Sequence, residues 1–171
     1  MIIREVNLAV DSAQLLKLSK RLNDFDVPQR IDADFFARVQ MANFEADLAD
    51  LEKDSFILVA VGEQDESGVV AGGEGDAEDG GAILGFVQVE VQKDWISKQR
   101  HGYISRIVVA KEAEGAGVAK QLMAAVEEWS QQQGYPIITL SVFAANQHAI
   151  GFYEHLGYEV ETVKMVKSAD D

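Results

Sequence analysis

The most informative segment of the sequence is Leu140-Ser-Val-Phe-Ala-Ala-Asn146-Gln-His-Ala149-Ile-Gly-Phe-Tyr153-Glu-His-Leu-Gly157-Tyr158. It predicts a strand, then a helix that Asn146 caps and that carries Tyr153, then a stop at Gly157 before a new strand. Asn146 and Tyr153 lie two helical turns apart and so share one face of that helix. Capping alone accounts for Asn146, and a Tyr on such a helix is more often a core residue than a site residue.

A second informative stretch precedes it, Val108-Val-Ala-Lys-Glu-Ala-Glu-Gly115-Ala-Gly117-Val-Ala-Lys120. It predicts a strand, a glycine-rich turn and a helix. A helix N-terminus carries unpartnered N–H groups and about half a positive charge, and the two glycines would let a phosphate approach that backbone. The turn is shorter than a P-loop and lacks the third glycine of the dinucleotide fingerprint, so an ordinary strand-to-helix turn explains it equally well.

The composition limits the class of protein. The chain has 171 residues, a net charge of -14 and no cysteine. This length predicts one domain over 1–171, and the lack of cysteine excludes disulfides, thiolate metal sites and a cysteine nucleophile. The acidity argues against nucleic acid and anionic membranes as partners and suits a cationic substrate, or solubility alone. The N-terminus lacks the features of a signal peptide, and no apolar run approaches the ~20 residues that span a bilayer, so we expect a cytoplasmic protein. Separately, we expect no metal.

The apolar periodicity predicts the order β-α-α-β-β-β-α-β-α-β. The expected strands are 2–6, 55–61, 82–91, 102–109, 137–142 and 158–165, and the expected helices are 11–22, 32–51, 118–133 and one that follows Asn146. Asp11 or Ser12 is the expected cap of the first helix. Residues 63–81 hold seven acids, six glycines and no Lys or Arg. They predict a mobile loop between two strands that pair as a hairpin, either a lid or a tolerated insertion. Residues 167–171 are expected to fray.

At these residues the chain resembles the GNAT superfamily of acyl-CoA-dependent N-acetyltransferases. The family's cofactor motif, Arg/Gln-x-x-Gly-x-Gly/Ala, reads Glu112-Ala-Glu-Gly115-Ala-Gly117 here, and its later motif, Val-x-x-x-Asn-x-x-Ala-x-x-x-Tyr-x-x-x-Gly-Phe, is matched from Val142 to Tyr158. The resemblance is specific from about 82 to 165 and architectural over 1–60. It implies an α/β (α+β) fold with a mixed, mostly antiparallel central sheet of six to seven strands, flanked by about four helices.

The resemblance also implies acetyl-CoA as cosubstrate and a set of residues that hold it. The pantetheine arm would pair like an added strand with the backbone of Ile107, Val108 and Val109. The N–H groups that would hold the pyrophosphate belong to the turn, Glu112, Ala113, Glu114, Gly115, Ala116 and Gly117, with Val118 beyond. Asn146 would bond the arm, and Tyr153 would protonate the departing thiolate as general acid. Glu112 departs from the family's Arg or Gln, which predicts weaker binding of the cofactor.

The base that deprotonates an amine is harder to assign. An alkyl amine with a pKa near 10.4 is almost entirely protonated at pH 7, so attack on a thioester needs a carboxylate, a His or a water chain. Family members often place a Glu where this chain has Ser105, which cannot serve. Glu90 and His101 are the candidate substitutes, and Glu90 could equally be a solvent-facing strand residue.

Three functions follow from these residues. The first is an N-acetyltransferase that moves acetyl to a primary amine by direct attack in a ternary complex. The alternative is a non-catalytic acyl-CoA-binding regulatory domain, and a third is an interaction protein whose acidic loop binds a basic partner. A small amine or a peptide amine could be the acceptor, and it would contact 22–35 and the 92–101 loop with Trp95. The carboxyl-terminal strands of such folds often pair between subunits, which leaves a homodimer open.

Overall fold

The computed structural model describes residues 1–24, 27–28, 30–51, 54–62, 81–167 and 169. The helices in this part are α1 (Leu8–Ser19), α2 (Ala33–Ala49), α3 (Val118–Gln132) and α4 (Gln147–His155). The strands are β1 (Ile2–Glu5), β2 (Ser55–Val61), β3 (Ile83–Lys93), β4 (Arg100–Val109) and β5 (Ile138–Leu140). Two short 3₁₀ helices, Lys20–Asn23 and Lys111–Ala113, follow α1 and β4. No helix among these residues has the length and apolarity to cross a membrane.

The strands form one sheet in the order β1-β2-β3-β4-β5. Every neighbouring pair is antiparallel except β4 and β5, which are parallel. The predicted hairpin of β2 and β3 is confirmed, since Ser55 pairs with Glu90 and Ala60 with Gly85. The acidic segment predicted as a mobile loop lies outside the described residues, apart from Gly81.

Alternating side chains divide the core between the two faces of the sheet. Helices α1 and α2 cover one face, where Phe44 of α2 stacks on Phe86 of β3 with ring centroids 5.1 Å apart. Helix α3 covers the opposite face, where Leu122 and Val126 pack with Val87 of β3. We call these the α2 face and the α3 face. Strands β2 and β3 are therefore covered on both faces over most of their length. The alternation in β3 had indicated a half-exposed strand, but α2 and α3 cover its two faces.

A partly buried ion pair fixes the start of α1. Asp11 is 0% exposed and accepts two hydrogen bonds from the guanidinium of Arg4, at 2.7 and 2.9 Å. It also accepts the backbone N–H of Asn7 at 2.7 Å. Because Asp11 is committed to these bonds, it does not cap the helix. The cap is Asn7, whose side chain accepts the N–H of Ala9, so α1 begins three residues before the predicted Asp11.

The predicted sixth strand does not form. The sheet described here has five strands where six to seven were expected, and residues 158–167 have no regular secondary structure. Alternation of polar and apolar residues in this segment indicated a strand, but β-propensity expresses packing against a neighbouring strand. The segment has no such partner here, and Val160, Val163 and Met165 are exposed.

Candidate functional site

A gap opens between β4 and β5 because the two parallel strands pair over only three residues each. Gly102, Tyr103 and Ile104 face Ile138–Leu140. Beyond Ile104, β4 continues to Val109, whereas β5 ends. The last five residues of β4 therefore have a strand neighbour on the β3 side only. A sheet edge of this kind offers unpaired N–H and C=O groups to an extended ligand.

The hydrogen-bond register shows which residues of β4 point into the gap. Residues of an antiparallel pair alternate between facing the partner strand and facing away from it. The N–H of Ala110 donates to the carbonyl oxygen of Leu84 on the β3 side at 2.8 Å, so Ala110 and Val108 face β3. The backbone groups of Ile107 and Val109 therefore point into the gap. Of the three residues predicted to pair with a ligand, Val108 is the exception, because its polar groups belong to the sheet.

The turn after β4 holds two glycines in the left-handed region, Gly115 at φ +77° and Gly117 at φ +78°. An added Cβ at either position would meet no atom within 4 Å, so the space beside both is open. Gly117 caps α3 without a side-chain hydrogen bond, and the N–H groups of Gly115, Gly117 and Val118 make no backbone hydrogen bond to any described residue. These donors stand at the positive end of a fifteen-residue helix.

Three other N–H groups of the predicted phosphate loop are already used within it. Ala113 donates to Ala110, Glu114 to Lys111, and Ala116 to Ala113, at 3.0 to 3.2 Å. They hold the 3₁₀ turn and so shape the loop. Glu112 is exposed beside them.

Arg21, from the 3₁₀ helix after α1, reaches this turn from another part of the sequence. Its Nη1 donates to the carbonyl oxygen of Val109, and its Nη2 lies 2.5 Å from a carboxylate oxygen of Glu114. The Arg21 guanidinium holds the pKa of Glu114 below its usual value, and Lys111 and His148 act in the same direction. Sequence analysis missed Arg21, which carries no local motif.

Helix α4 borders the same region. Asn146 caps it, with its side chain accepting the N–H of Ala149 at 3.1 Å. Tyr153 packs against the core cluster of the α3 face, with its ring 5.4 Å from Phe152 and 5.9 Å from Tyr158. Burial raises the pKa of the Tyr153 phenol above its usual value. A phenol in this setting stays protonated at neutral pH and can donate a proton.

A β-bulge lies where β4 leaves β5. Gln88 faces Arg106 and Val89 faces Ile104, so Ser105 is an extra residue in β4. Its hydroxyl lies 3.4 Å from the carbonyl oxygen of Gln88. Bulges re-aim side chains and are common beside active sites.

The two candidate bases lie near this bulge, on the α2 face. Glu90 faces Tyr103 across the strand pair, is partly exposed, and accepts a hydrogen bond from Gln92 at 3.2 Å. It lines a small cavity of about 150 Å³ together with Asp47 and other residues. His101 is 4% exposed, with Nε2 2.9 Å from the hydroxyl of Thr139. Glu90 is therefore the more accessible of the two.

A buried polar network on the α2 face was also missed by sequence analysis. Arg106 of β4 donates to Asp47 of α2 and to the side chain of Gln88, both at 2.5 Å, and Gln88 donates to Asp47 at 3.1 Å. The guanidinium lies over the ring of Phe44 at 5.1 Å. The only local signal was an Arg in the middle of an otherwise apolar strand end. This network ties α2 to the strand that lines the gap.

The predicted acceptor region is only partly described, since residues 25, 26 and 29 are outside the described part. Trp95 is exposed in the β3–β4 loop. Phe36 of α2 contacts Phe143 after β5, with ring centroids 5.9 Å apart, so α2 approaches the far side of the gap. No group of three or more His, Asp or Glu side chains that could hold a metal occurs among the residues described.

Comparison with known proteins places this arrangement in a family. Residues 29–158 match the sequence model described as Acetyltransferase (GNAT) family. N-acetyltransferase 8 of Rattus norvegicus is 31% identical over 83 residues, which cover 48% of this chain and only 37% of that protein. The uncharacterized N-acetyltransferase YhfO of Bacillus subtilis is 28% identical over 123 residues, 72% of this chain and 79% of that protein. The solved structure of a Pyrococcus furiosus protein assigned as an acetyl transferase has a TM-score of 0.69 at 23% identity, covers 98% of this chain and 99% of that one, and thus shares its fold.

Proposed function

Because the chain belongs to the GNAT acetyltransferase family, we propose that it transfers the acetyl group of acetyl-CoA to a primary amine by direct attack in a ternary complex. One observation carries this proposal. The edge of β4, where the backbone groups of Ile107 and the N–H of Val109 face no described strand, leads directly into a helix N-terminus that has no side-chain cap and two open glycines. An extended arm with amide groups and a diphosphate at one end matches that order of donors and acceptors.

The residues present fit acetyl-CoA, which supplies an activated thioester. Ile107 and the N–H of Val109 would pair with the pantetheine arm as an added strand, since Arg21 already donates to the carbonyl oxygen of Val109. The N–H groups of Gly115, Gly117 and Val118 would hold the pyrophosphate at the positive end of α3. Asn146 would offer its amide N–H donors to the arm, since its side-chain oxygen already caps α4.

Tyr153 is the proposed general acid. As the amine nitrogen forms its bond to the acetyl carbon and the carbon–sulfur bond breaks, the phenol would donate its proton to the sulfur, and solvent would restore it. The raised pKa supports this role because it keeps the proton on the phenol until the thiolate departs.

Glu90 is the proposed base, acting directly or through one water. It lies on β3, one strand spacing of about 4.8 Å from β4, and it faces solvent on the α2 face. The cavity beside it also has Asp47 and Asp50 in its wall, which suits an acceptor that arrives as a cation. His101 is a secondary candidate because its ring is buried.

Two measurements test the proposal in sequence. Calorimetry with acetyl-CoA comes first, on the wild type and on Gly117→Ala. Both that variant and the control Gly134→Ala place a side chain at positive φ in open space, at φ +78° and +69°, so they carry similar strain. We expect only Gly117→Ala to lose acetyl-CoA affinity, by about tenfold or more, since a Cβ there enters the proposed phosphate path.

The second measurement is thiol release against a panel of a polyamine, an aminoglycoside, an amino acid and a peptide with a free N-terminus. Turnover with any of them supports the enzyme. Binding of acetyl-CoA without turnover of any amine favours the regulatory domain instead. Equal loss of affinity in both glycine variants, or none in Gly117→Ala, contradicts the assignment of the phosphate site.

A further inference from the structure

The guanidinium of Arg21 lies against the edge of β4 that borders the gap between β4 and β5. The carbonyl of Val109 points into this gap, and Arg21 donates to it. The same guanidinium contacts Glu114 in the turn at 2.5 Å and Asp24 at 3.0 Å. Arg21 is 24% exposed, whereas the carboxylates of Asp24 and Glu114 are 59% and 57% exposed. The side chain of Arg21 is thus more buried than the two carboxylates that it contacts.

The turn needs such a cation if it is to hold a diphosphate. Glu112 and Glu114 place two negative charges in it, and Lys111 supplies one positive charge. Backbone N–H groups offset part of a phosphate's charge, but two nearby carboxylates oppose its approach. No other described element brings a guanidinium to this turn.

We propose that Arg21 is a further cofactor-binding residue, which exchanges the Glu114 carboxylate for a phosphate of acetyl-CoA when the cofactor binds. This inference rests on the proposed function. A guanidinium forms paired, charge-assisted hydrogen bonds to phosphate, and a diphosphate carries more charge than one carboxylate. The exchange costs little at Glu114, because its exposed carboxylate can return to water. Arg21 thereby supplies, from the 3₁₀ helix after α1, the positive charge that the motif lacks at Glu112.

A simpler role competes with this one. Arg21 could act only by neutralising Glu114, without touching the cofactor. The two roles predict different outcomes for the variants Arg21→Ala, Glu114→Gln and their combination, measured by calorimetric titration with acetyl-CoA. Lys20→Ala is the control, since it removes the same charge from an exposed neighbour in the same 3₁₀ helix.

Direct contact predicts that Arg21→Ala raises the acetyl-CoA dissociation constant about 10- to 100-fold, the scale of a lost charged hydrogen bond. Glu114→Gln lowers it, and the double variant remains at least tenfold weaker than Glu114→Gln alone. Lys20→Ala stays within about threefold of the wild type. Recovery of the double variant to the affinity of Glu114→Gln overturns the inference, because it assigns Arg21 to charge neutralisation.

Unfolding midpoints of the unliganded variants separate binding from folding. If Arg21→Ala does not fold, Arg21→Lys in the Glu114→Gln background takes its place. Lys keeps the charge but lacks the paired donors, so we expect an intermediate loss of affinity, and an unchanged dissociation constant overturns the inference. A wild type that does not bind acetyl-CoA at all refutes the proposed function itself, whereas a wild type that binds while these variants do not differ refutes only the role of Arg21.

Discussion

Replacement of Tyr153 by Phe removes one oxygen atom from the proposed site and leaves its surroundings in place. The ring contacts with Phe152 and Tyr158, at 5.4 and 5.9 Å, do not depend on the hydroxyl. We therefore expect Tyr153→Phe to fold and to bind acetyl-CoA within about threefold of the wild type, since the arm and the phosphates are assigned to backbone groups.

The loss of rate follows from the role of the hydroxyl. Burial raises the pKa of Tyr153 above its usual value, so the phenol is protonated at pH 7.5 and carries the proton that a general acid must donate. Removal of a positioned general acid costs about 10²–10⁴ in kcat, or roughly 2.7–5.4 kcal/mol at 1.36 kcal/mol per decade. The sign of the pH effect follows from the raised pKa, which moves the loss of the acid form of Tyr153 to higher pH.

Thiol release at saturating acetyl-CoA and amine, between pH 6 and 10, measures this loss. The matched control is Tyr158→Phe, because the Tyr158 hydroxyl is buried near Tyr153 without a hydrogen-bond partner in the described structure. We expect the control to keep kcat within about threefold. If Tyr153→Phe retains more than about a tenth of the wild-type kcat, Tyr153 is not the acid; if Tyr158→Phe alone loses activity, the acid is Tyr158.

Four further substitutions test other parts of the structure. Glu112→Gln should lower the acetyl-CoA dissociation constant about two- to fivefold by removing an exposed like charge, and unchanged binding by calorimetry would contradict this. Asp11→Asn should cost about 1–3 kcal/mol in chemical denaturation because a buried neutral amide loses the charge-assisted hydrogen bonds from Arg4 and Asn7. Burial raises the pKa of Asp11, but bonds from Arg4 and Asn7 outweigh it, so its pKa is lowered and the wild type should lose this stability as pH falls below about 4. Gly85→Ala should cost about 1–3 kcal/mol, since the new Cβ would come within 2.7 Å of a β4 carbonyl oxygen, whereas Gly151→Ala in α4, with open space, should gain about 0.5–1 kcal/mol.

Periodicity located most helices and strands, because burial of one face is a local property of the sequence. It placed α3 correctly, and it anticipated the β2–β3 hairpin. It failed at the start of α1, where Asp11 looked like a cap but is held by Arg4. It failed again at residues 158–165, where a strand pattern found no partner strand. Both errors concern contacts between residues that the local pattern does not contain.

In the candidate site, too, the sequence predicted the features that depend on a local pattern and missed those that depend on distant residues. The glycine turn and Tyr153 were visible because each belongs to a short motif with fixed spacing. The free edge of β4 depends on where β5 ends, and the direction of Ile107 and Val109 depends on the register with β3. Neither the end of β5 nor the register with β3 can be inferred from the residues of β4 alone.

The proposed contact between Arg21 and the cofactor would explain how an acidic protein holds an anion at a turn with two glutamates. The net charge of -14 describes the whole surface, but at 0.15 M salt exposed charges act over about 8 Å, so the charges beside the phosphates decide binding. A position-by-position comparison with the family motif marks Glu112 as unfavourable for cofactor binding, because it takes no account of residues that are distant in the sequence. In the folded chain, Arg21 lies 93 positions from Glu114 in the sequence but donates a hydrogen bond to its carboxylate. We therefore expect the charge at position 112 to matter less while Arg21 is present, so Glu112→Gln should tighten acetyl-CoA binding more in the Arg21→Ala background than in the wild type. Equal gains in the two backgrounds would mean that Arg21 and the turn act independently.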